Sequence, residues 1–170
     1  MSKLIKCPKC NTEYDISATS TGPTPKSNYL WILDNGHGGI IDGEYQTAGK
    51  RSPVWDDGSQ LFEGEFNRAI VNRLVKMCAE EGIECVNLVD TQEDISLRKR
   101  TDKANDIHRK RADKDGKSIY VSIHADGFDQ ESANGWSVYT SEGETKSDII
   151  ARVLLDKATE EFPDEKMRGH

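Results

Sequence analysis

Apolar residues follow two rhythms along this chain. Tyr29-Leu30-Trp31-Ile32-Leu33 is a continuous apolar run, as expected of a strand buried on both faces. Ile83 to Val89 reads as a second strand, Ser118 to Ile123 as a third and Trp136 to Thr140 as a fourth. Between the runs the spacing changes to three and four residues. Phe66, Ile70, Leu74 and Met77 share one helical face, and Gly82 offers a stop. Ser96 can cap a helix that runs to about Lys110. Ile149, Ile150, Val153, Leu154 and Ala158 mark a last amphipathic helix. Strands alternating with helices predict an α/β fold: a twisted, largely parallel sheet flanked by helices. In such sheets ligands gather at the carboxyl ends of strands.

Two stretches stand outside this rhythm. Residues 34 to 62 are rich in glycine, aspartate and turn residues and predict a long loop, and loops of that length usually carry function. Residues 1 to 15 hold Cys7-Pro-Lys-Cys10, which looks like half of a zinc ribbon without its second cysteine pair. Residues 16 to 28 are small, polar and proline-bearing, as in a linker. The expected organisation is a CxxC element over 1–15, a linker over 16–28 and one catalytic domain over 29–170. Residues 1 to 28 offer few apolar groups and are not expected to pack on that domain.

Composition narrows the function classes. A length of 170 residues suits one domain with a proper core. The net charge of −7 argues against nucleic acid as a partner. No apolar stretch approaches the roughly 20 residues of a membrane span. The first residues, Met-Ser-Lys-Leu-Ile-Lys-Cys, lack the apolar core of a secretion signal. The expectation is therefore a monomer made in the cytoplasm, its cysteines reduced. Cys78 and Cys85 then read as small core residues. The basic run from Arg98 to Lys114, which includes Arg100 and His108, is interleaved with Asp102, Asp106 and Asp113. It reads as a solvated helix with charge pairs three or four residues apart.

The candidate chemistry sits at strand ends. Leu33-Asp34-Asn35-Gly36-His37-Gly38-Gly39 places an imidazole among glycines just after the first strand, and Ser122-Ile123-His124-Ala125-Asp126 places a second at the end of the third. Two imidazoles and a carboxylate are a usual ligand set for catalytic zinc, with the fourth position open to water. Histidines so far apart in sequence can equally be unrelated. Glu63, taken alone, reads as an acidic residue favoured at a helix N-terminus.

A resemblance changes these weights. The segment Ile32 to Gly39 resembles the first motif of the zinc-dependent N-acetylmuramoyl-L-alanine amidases, the type 3 amidase family, where the histidine binds zinc. Glu63-Gly64-Glu65-Phe66-Asn67 is similar to the second motif, in which a glutamate opening a helix binds zinc. Ser96-Leu97, Arg100 and Ala104-Asn105 match a helix of the family, and Val121 to Ala125 resembles the third motif, with the second zinc histidine. Gly135 through Tyr139 looks like the strand that follows. The resemblance implies Zn2+ held by His37, Glu63 and His124. It also implies peptidoglycan as substrate, cut at the amide between N-acetylmuramic acid and L-alanine. A carboxylate would move the proton from water to the leaving amine. Without a signal peptide, a phage or prophage lysin that reaches the cell wall after release is the expected setting.

There are departures from the family pattern. Asn35 stands where the family has proline, and Asp126 where asparagine is common. The family's general-base glutamate, on a late strand, has no counterpart up to His170, so the chain is expected to be a C-terminally truncated fragment. The catalytic residue is accordingly unassigned, with that glutamate beyond His170. Two alternatives remain open at this point: a zinc carboxypeptidase-like peptide hydrolase, and a non-catalytic zinc or cell-wall-binding module.

Overall fold

The computed structural model describes residues 4–6, 13–15, 27–113, 116–127 and 134–168. They divide into two compact units, Met1–Ala125 and Asp126–His170. Cys7, Cys10 and most of the expected linker lie outside the described residues. Within residues 1–15 two short strands, β1 (Leu4–Lys6) and β2 (Glu13–Asp15), pair antiparallel.

The centre of the first unit is a three-stranded parallel sheet. β3 (Tyr29–Asn35) lies in the middle, between β6 (Cys85–Asn87) and β7 (Lys117–Ile123). The first three predicted runs therefore contain strands, with β3 two residues longer than its apolar stretch and β6 confined to the middle of Ile83–Val89. That extension carries Asp34 and Asn35 into the sheet, where both are buried.

Two helices connect the strands. α1 (Glu63–Glu80) leads from β3 to β6, and α2 (Leu97–Ala112) leads from β6 back across β3 to β7. Parallel crossovers are nearly always right-handed, so connections that run in opposite directions put their helices on opposite faces. The packing agrees. Successive side chains of β3 point to opposite faces. Ile32 forms a core with Leu88, Val89 and Ala104 of α2, and Leu30, Val86, Ile95 and Ile107 pack against it. α1 packs on β3 and β6, with Val71 fully buried. Each core side chain contributes roughly 1.5–3 kcal/mol when taken from water. The reversal of direction also leaves a switch point between the ends of β3 and β7, where sheets of this order bind ligands.

The helices depart in detail from the apolar pattern. α1 does not bury the Phe66, Ile70, Leu74 and Met77 stripe as a unit: Phe66 is 41% and Met77 58% exposed. Its buried face is Glu63, Gly64, Asn67, Arg68 and Val71. The N-terminal half of the helix turns polar groups inward because it abuts the loop after β3, whose backbone needs hydrogen-bond partners. Gly82, at φ 67°, ends the helix as expected. Ser96 caps α2, its hydroxyl accepting from the Lys99 N–H.

The segment 34–62 has more order than a long loop. β4 (Ile40–Ile41) and β5 (Glu44–Tyr45) form a hairpin. Its turn, Asp42-Gly43, has positive φ at both residues, 51° and 84°, which is the Asp-Gly form of a tight hairpin turn. Further on, Arg51 pairs antiparallel with Phe62.

The second unit holds α3 (Lys146–Glu161), opened by a capping box between Thr145 and Asp148. The expected strand over Trp136–Thr140 is reduced to one parallel bridge between Trp136 and Met167. Trp136 donates its N–H to Lys166 O at 2.8 Å and stacks on Phe162. No helix among the described residues is long and apolar enough to cross a membrane.

Candidate metal centre

The site grows from the glycine-rich loop after β3. Gly36 donates its N–H to Ile123 O at 3.0 Å, which ties the loop to the end of β7. A Cβ on Gly36 would lie 2.2 Å from the His124 ring, so only glycine admits that imidazole. His37 itself sits at φ 68°, a left-handed conformation that costs a non-glycine residue roughly 1–3 kcal/mol. Gly38 donates to Thr47 Oγ1 at 2.8 Å, and Gly39 to Gln92 O at 2.8 Å.

α1 begins directly against this loop. A Cβ on Gly64 would lie 1.7 Å from Gly38 O. The close approach delivers Glu63, in the first turn of the helix, to the two histidines. Nδ1 of His124 and Nε2 of His37 each lie 3.1 Å from Glu63 Oε1. The same oxygen accepts the Ala125 N–H at 3.1 Å. The imidazoles meet edge to face, with ring centroids 4.9 Å apart. The candidate ligand atoms of His37, Glu63 and His124 all lie within 4.8 Å of one another. The structure thus brings together the three residues named from the sequence. His108 is elsewhere, on α2 beside Ser118.

The donor set fits a tetrahedral cation. With bonds of roughly 2.0–2.1 Å, neighbouring donors of such an ion stand about 3.3 Å apart, close to the two 3.1 Å histidine–carboxylate spacings, with all three donors within 4.8 Å. Nε2 of His37 is buried without a hydrogen-bond partner. Its approach to Glu63 lacks hydrogen-bond geometry, and an unpaired buried polar atom is costly unless something else satisfies it. Burial lowers the His37 pKa against the opposing pull of Glu63, and His124 lowers it further. Neutral imidazole is the form that binds metal. A cleft of about 430 Å³ opens on the histidines, lined also by Asp34, Gly36, Asp94 and Ser96. Its size is that of a small-ligand site.

Behind the ligands lies a polar layer that sequence reasoning missed. Arg100 reads as one charge in a solvated basic run, yet it is only 3% exposed. It donates to Asp34 Oδ1 at 2.5 Å, to Asn35 O at 2.7 Å and to His37 O at 3.1 Å. Tyr120 and Ser122 donate to the other oxygen of Asp34. Burial and the bond to Asp34 push the Tyr120 phenol up to about 12. Asn67 donates to Gly36 O at 3.1 Å, and the buried Arg68 to His37 O at 3.1 Å. A signal did exist. Arg100 shares a helical stripe with Ala104 and Ile107, both of which face the core. Elsewhere on α2 the expected pairs form between Arg98 and Asp102 and between Arg109 and Asp106, but Lys103 and Arg111 reach instead to Leu88 O and to Glu84.

Comparison with known proteins agrees with this geometry. No curated protein matches the chain. Solved structures do. The N-acetylmuramoyl-L-alanine amidase AmiC2 of Nostoc punctiforme superposes with a TM-score of 0.59 at 23% identity, over 84% of this chain and 68% of its own. The catalytic domain of CwlV, an N-acetylmuramoyl-L-alanine amidase from Bacillus (Paenibacillus) polymyxa var. colistinus, gives 0.58 at 20% identity, over 83% and 68%. The amidase Ami1 from Mycobacterium smegmatis gives 0.54 at 19% identity, over 81% and 67%. At these identities the likeness establishes the fold. The family model for N-acetylmuramoyl-L-alanine amidase matches residues 32–169, a span that takes in the whole candidate centre. On that match, the chain belongs to the N-acetylmuramoyl-L-alanine amidase family.

Proposed function

We propose that the chain hydrolyses the amide between N-acetylmuramic acid and L-alanine in peptidoglycan, with a zinc ion held by His37, Glu63 and His124. The observation that carries this reading is the convergence of two imidazoles and one carboxylate, all within 4.8 Å, at the switch point of a parallel sheet. Zinc held there would supply Lewis-acid polarisation of the amide carbonyl and a water whose pKa is lowered to about 7. The chain's own residues would hold and orient the ion. Glu63 presents Oε1 to both rings and is itself oriented by the Ala125 N–H. Gly36, Gly38 and Gly39 let the loop pack closely against His124, Asp94 and Gln92, which holds His37 at the cleft. Asp34, buried under Tyr120, Ser122 and Arg100, fixes the end of β3 from which the loop departs.

The test is hydrolysis of purified, dye-labelled cell walls, with the products analysed chemically. Zinc-loaded protein is expected to release dye and expose new L-alanine amino termini without new reducing sugar ends. Chelation, or His37→Ala, is expected to reduce release to background. Undiminished release after the metal is removed would refute the reading.

A further inference from the structure

Two buried guanidinium groups converge on the backbone of one proposed metal ligand. Nη2 of Arg68 and Nη2 of Arg100 each lie 3.1 Å from His37 O. The arginines come from different helices, α1 and α2, and are 6% and 3% exposed. Each is anchored elsewhere by its remaining nitrogens. Arg68 donates through Nε and Nη2 to Thr91 O, and through Nη1 to Gly64 O at 3.0 Å. Arg100 donates through Nε to Ile95 O at 2.7 Å and through Nη1 to Asp34 and Asn35. All four hydrogen-bond contacts of Arg68 are to carbonyl oxygens, so it is a buried cation held by backbone dipoles. Burying a charge in this way is expensive, and a merely apolar core would not call for it.

We propose that Arg68 and Arg100 are positioning residues for the metal centre, acting through the carbonyl of His37. The proposal rests on the zinc reading above. His37 is in the left-handed region, where a non-glycine residue does not stay without restraint. Its carbonyl can hold only one direction if two forked, oppositely anchored donors share it. Asn67 holds the carbonyl of Gly36 on the other side, so both peptide planes that flank His37 are restrained and with them the direction of its Cα–Cβ bond, from which Nε2 comes to 3.1 Å from Glu63 Oε1. Arg68 adds a second constraint. Its Nη1 holds Gly64 O, one residue after Glu63, so one side chain sets the spacing between two of the three ligands. Arginine is required because the task takes several donors in a planar fork. Lysine carries its three donors on a single nitrogen and does not reproduce the fork whose separate nitrogens reach Thr91, Gly64 and His37.

The experiment measures cobalt(II) binding to the full chain, with cobalt as a spectroscopic stand-in for zinc, in wild type, Arg68→Lys and Arg100→Lys. Circular dichroism establishes which variants are folded. Groups that orient metal ligands are typically worth about 10–100-fold in metal affinity. The folded lysine variants are expected to bind cobalt weaker by that factor and to show a changed d–d spectrum, which reports ligand geometry rather than stability. Folded variants with wild-type affinity and spectrum would overturn the proposal. So would loss of the fold in both, which would assign the pair to the core alone. A wild-type chain that binds no cobalt would instead remove the metal reading on which the proposal stands.

Discussion

Gly64 shows how single positions carry this site. Inside a helix, alanine is ordinarily better than glycine by about 1 kcal/mol. Here an added Cβ would lie 1.7 Å from Gly38 O, and the contact is with backbone, which cannot swing aside. The clash outweighs the propensity. Gly64→Ala is therefore expected to destabilise the chain by at least about 1–3 kcal/mol, the usual cost of overpacking, and to displace Glu63 from the histidines. Urea unfolding checks the first effect and zinc content the second. A variant as stable as wild type would show that the approach of α1 to the loop is looser than described. The neighbouring glutamates give a complementary test. Oε1 of Glu65 accepts the Ile40 N–H at 2.9 Å and serves the hairpin, whereas Oε1 of Glu63 faces both rings. Glu63→Gln should lose zinc and Glu65→Gln should keep it. The reverse pattern would move the ligand assignment by two residues.

At the scale of elements, what was legible followed from strong local signals. The continuous apolar run at Tyr29 predicts β3 because a central strand is covered on both faces, fully so here from Ile32 onward. Ser96 marks the start of α2 because a hydroxyl there satisfies a free N–H of the first turn. The failures have equally local causes. The stripe from Phe66 to Met77 is a poor guide to the buried face of α1, because the inward side of its first turns is spent on polar contacts to the loop after β3. The β4–β5 hairpin lay in the open, signalled by Asp42-Gly43, but two-residue strands give too short an alternation to notice. For α3 the capping box is the feature with a predictable energy. Oγ1 of Thr145 accepts the Ser147 N–H at 3.2 Å, and Asp148 accepts the Thr145 N–H in return. Thr145→Ala should cost about 1 kcal/mol, seen as faster amide exchange confined to the first turn of the helix. Unchanged exchange there would show that the cap is not what starts α3.

At the scale of the whole molecule, the parallel sheet brings together ligands that are far apart in sequence. His37 and His124 follow adjacent strands, β3 and β7, and Glu63 reaches them because α1 begins against the loop after β3. The two histidines were legible from their place at strand ends. Glu63 was not legible from charge pattern, since an acidic residue at a helix N-terminus is common, and only the resemblance to a family of zinc amidases singled it out. Arg68 was hidden more deeply, and the resemblance marked Arg100 only as part of a matching helix, because burying a charge contradicts the ordinary reading of a polar side chain and becomes intelligible only beside the carbonyl it holds. The family match covers residues 32–169 and so spans every element that supplies a proposed ligand. The central claim is that zinc binds to this set of nitrogen and oxygen donors. Zinc-edge X-ray absorption on the Cys7→Ser/Cys10→Ser chain, loaded with one equivalent of zinc, tests it most directly. The account predicts a first shell of light atoms only, at about 2.0–2.1 Å, with outer-shell scattering from imidazole rings. A shell containing sulfur at about 2.3 Å, or failure of the chain to retain zinc at all, would contradict it.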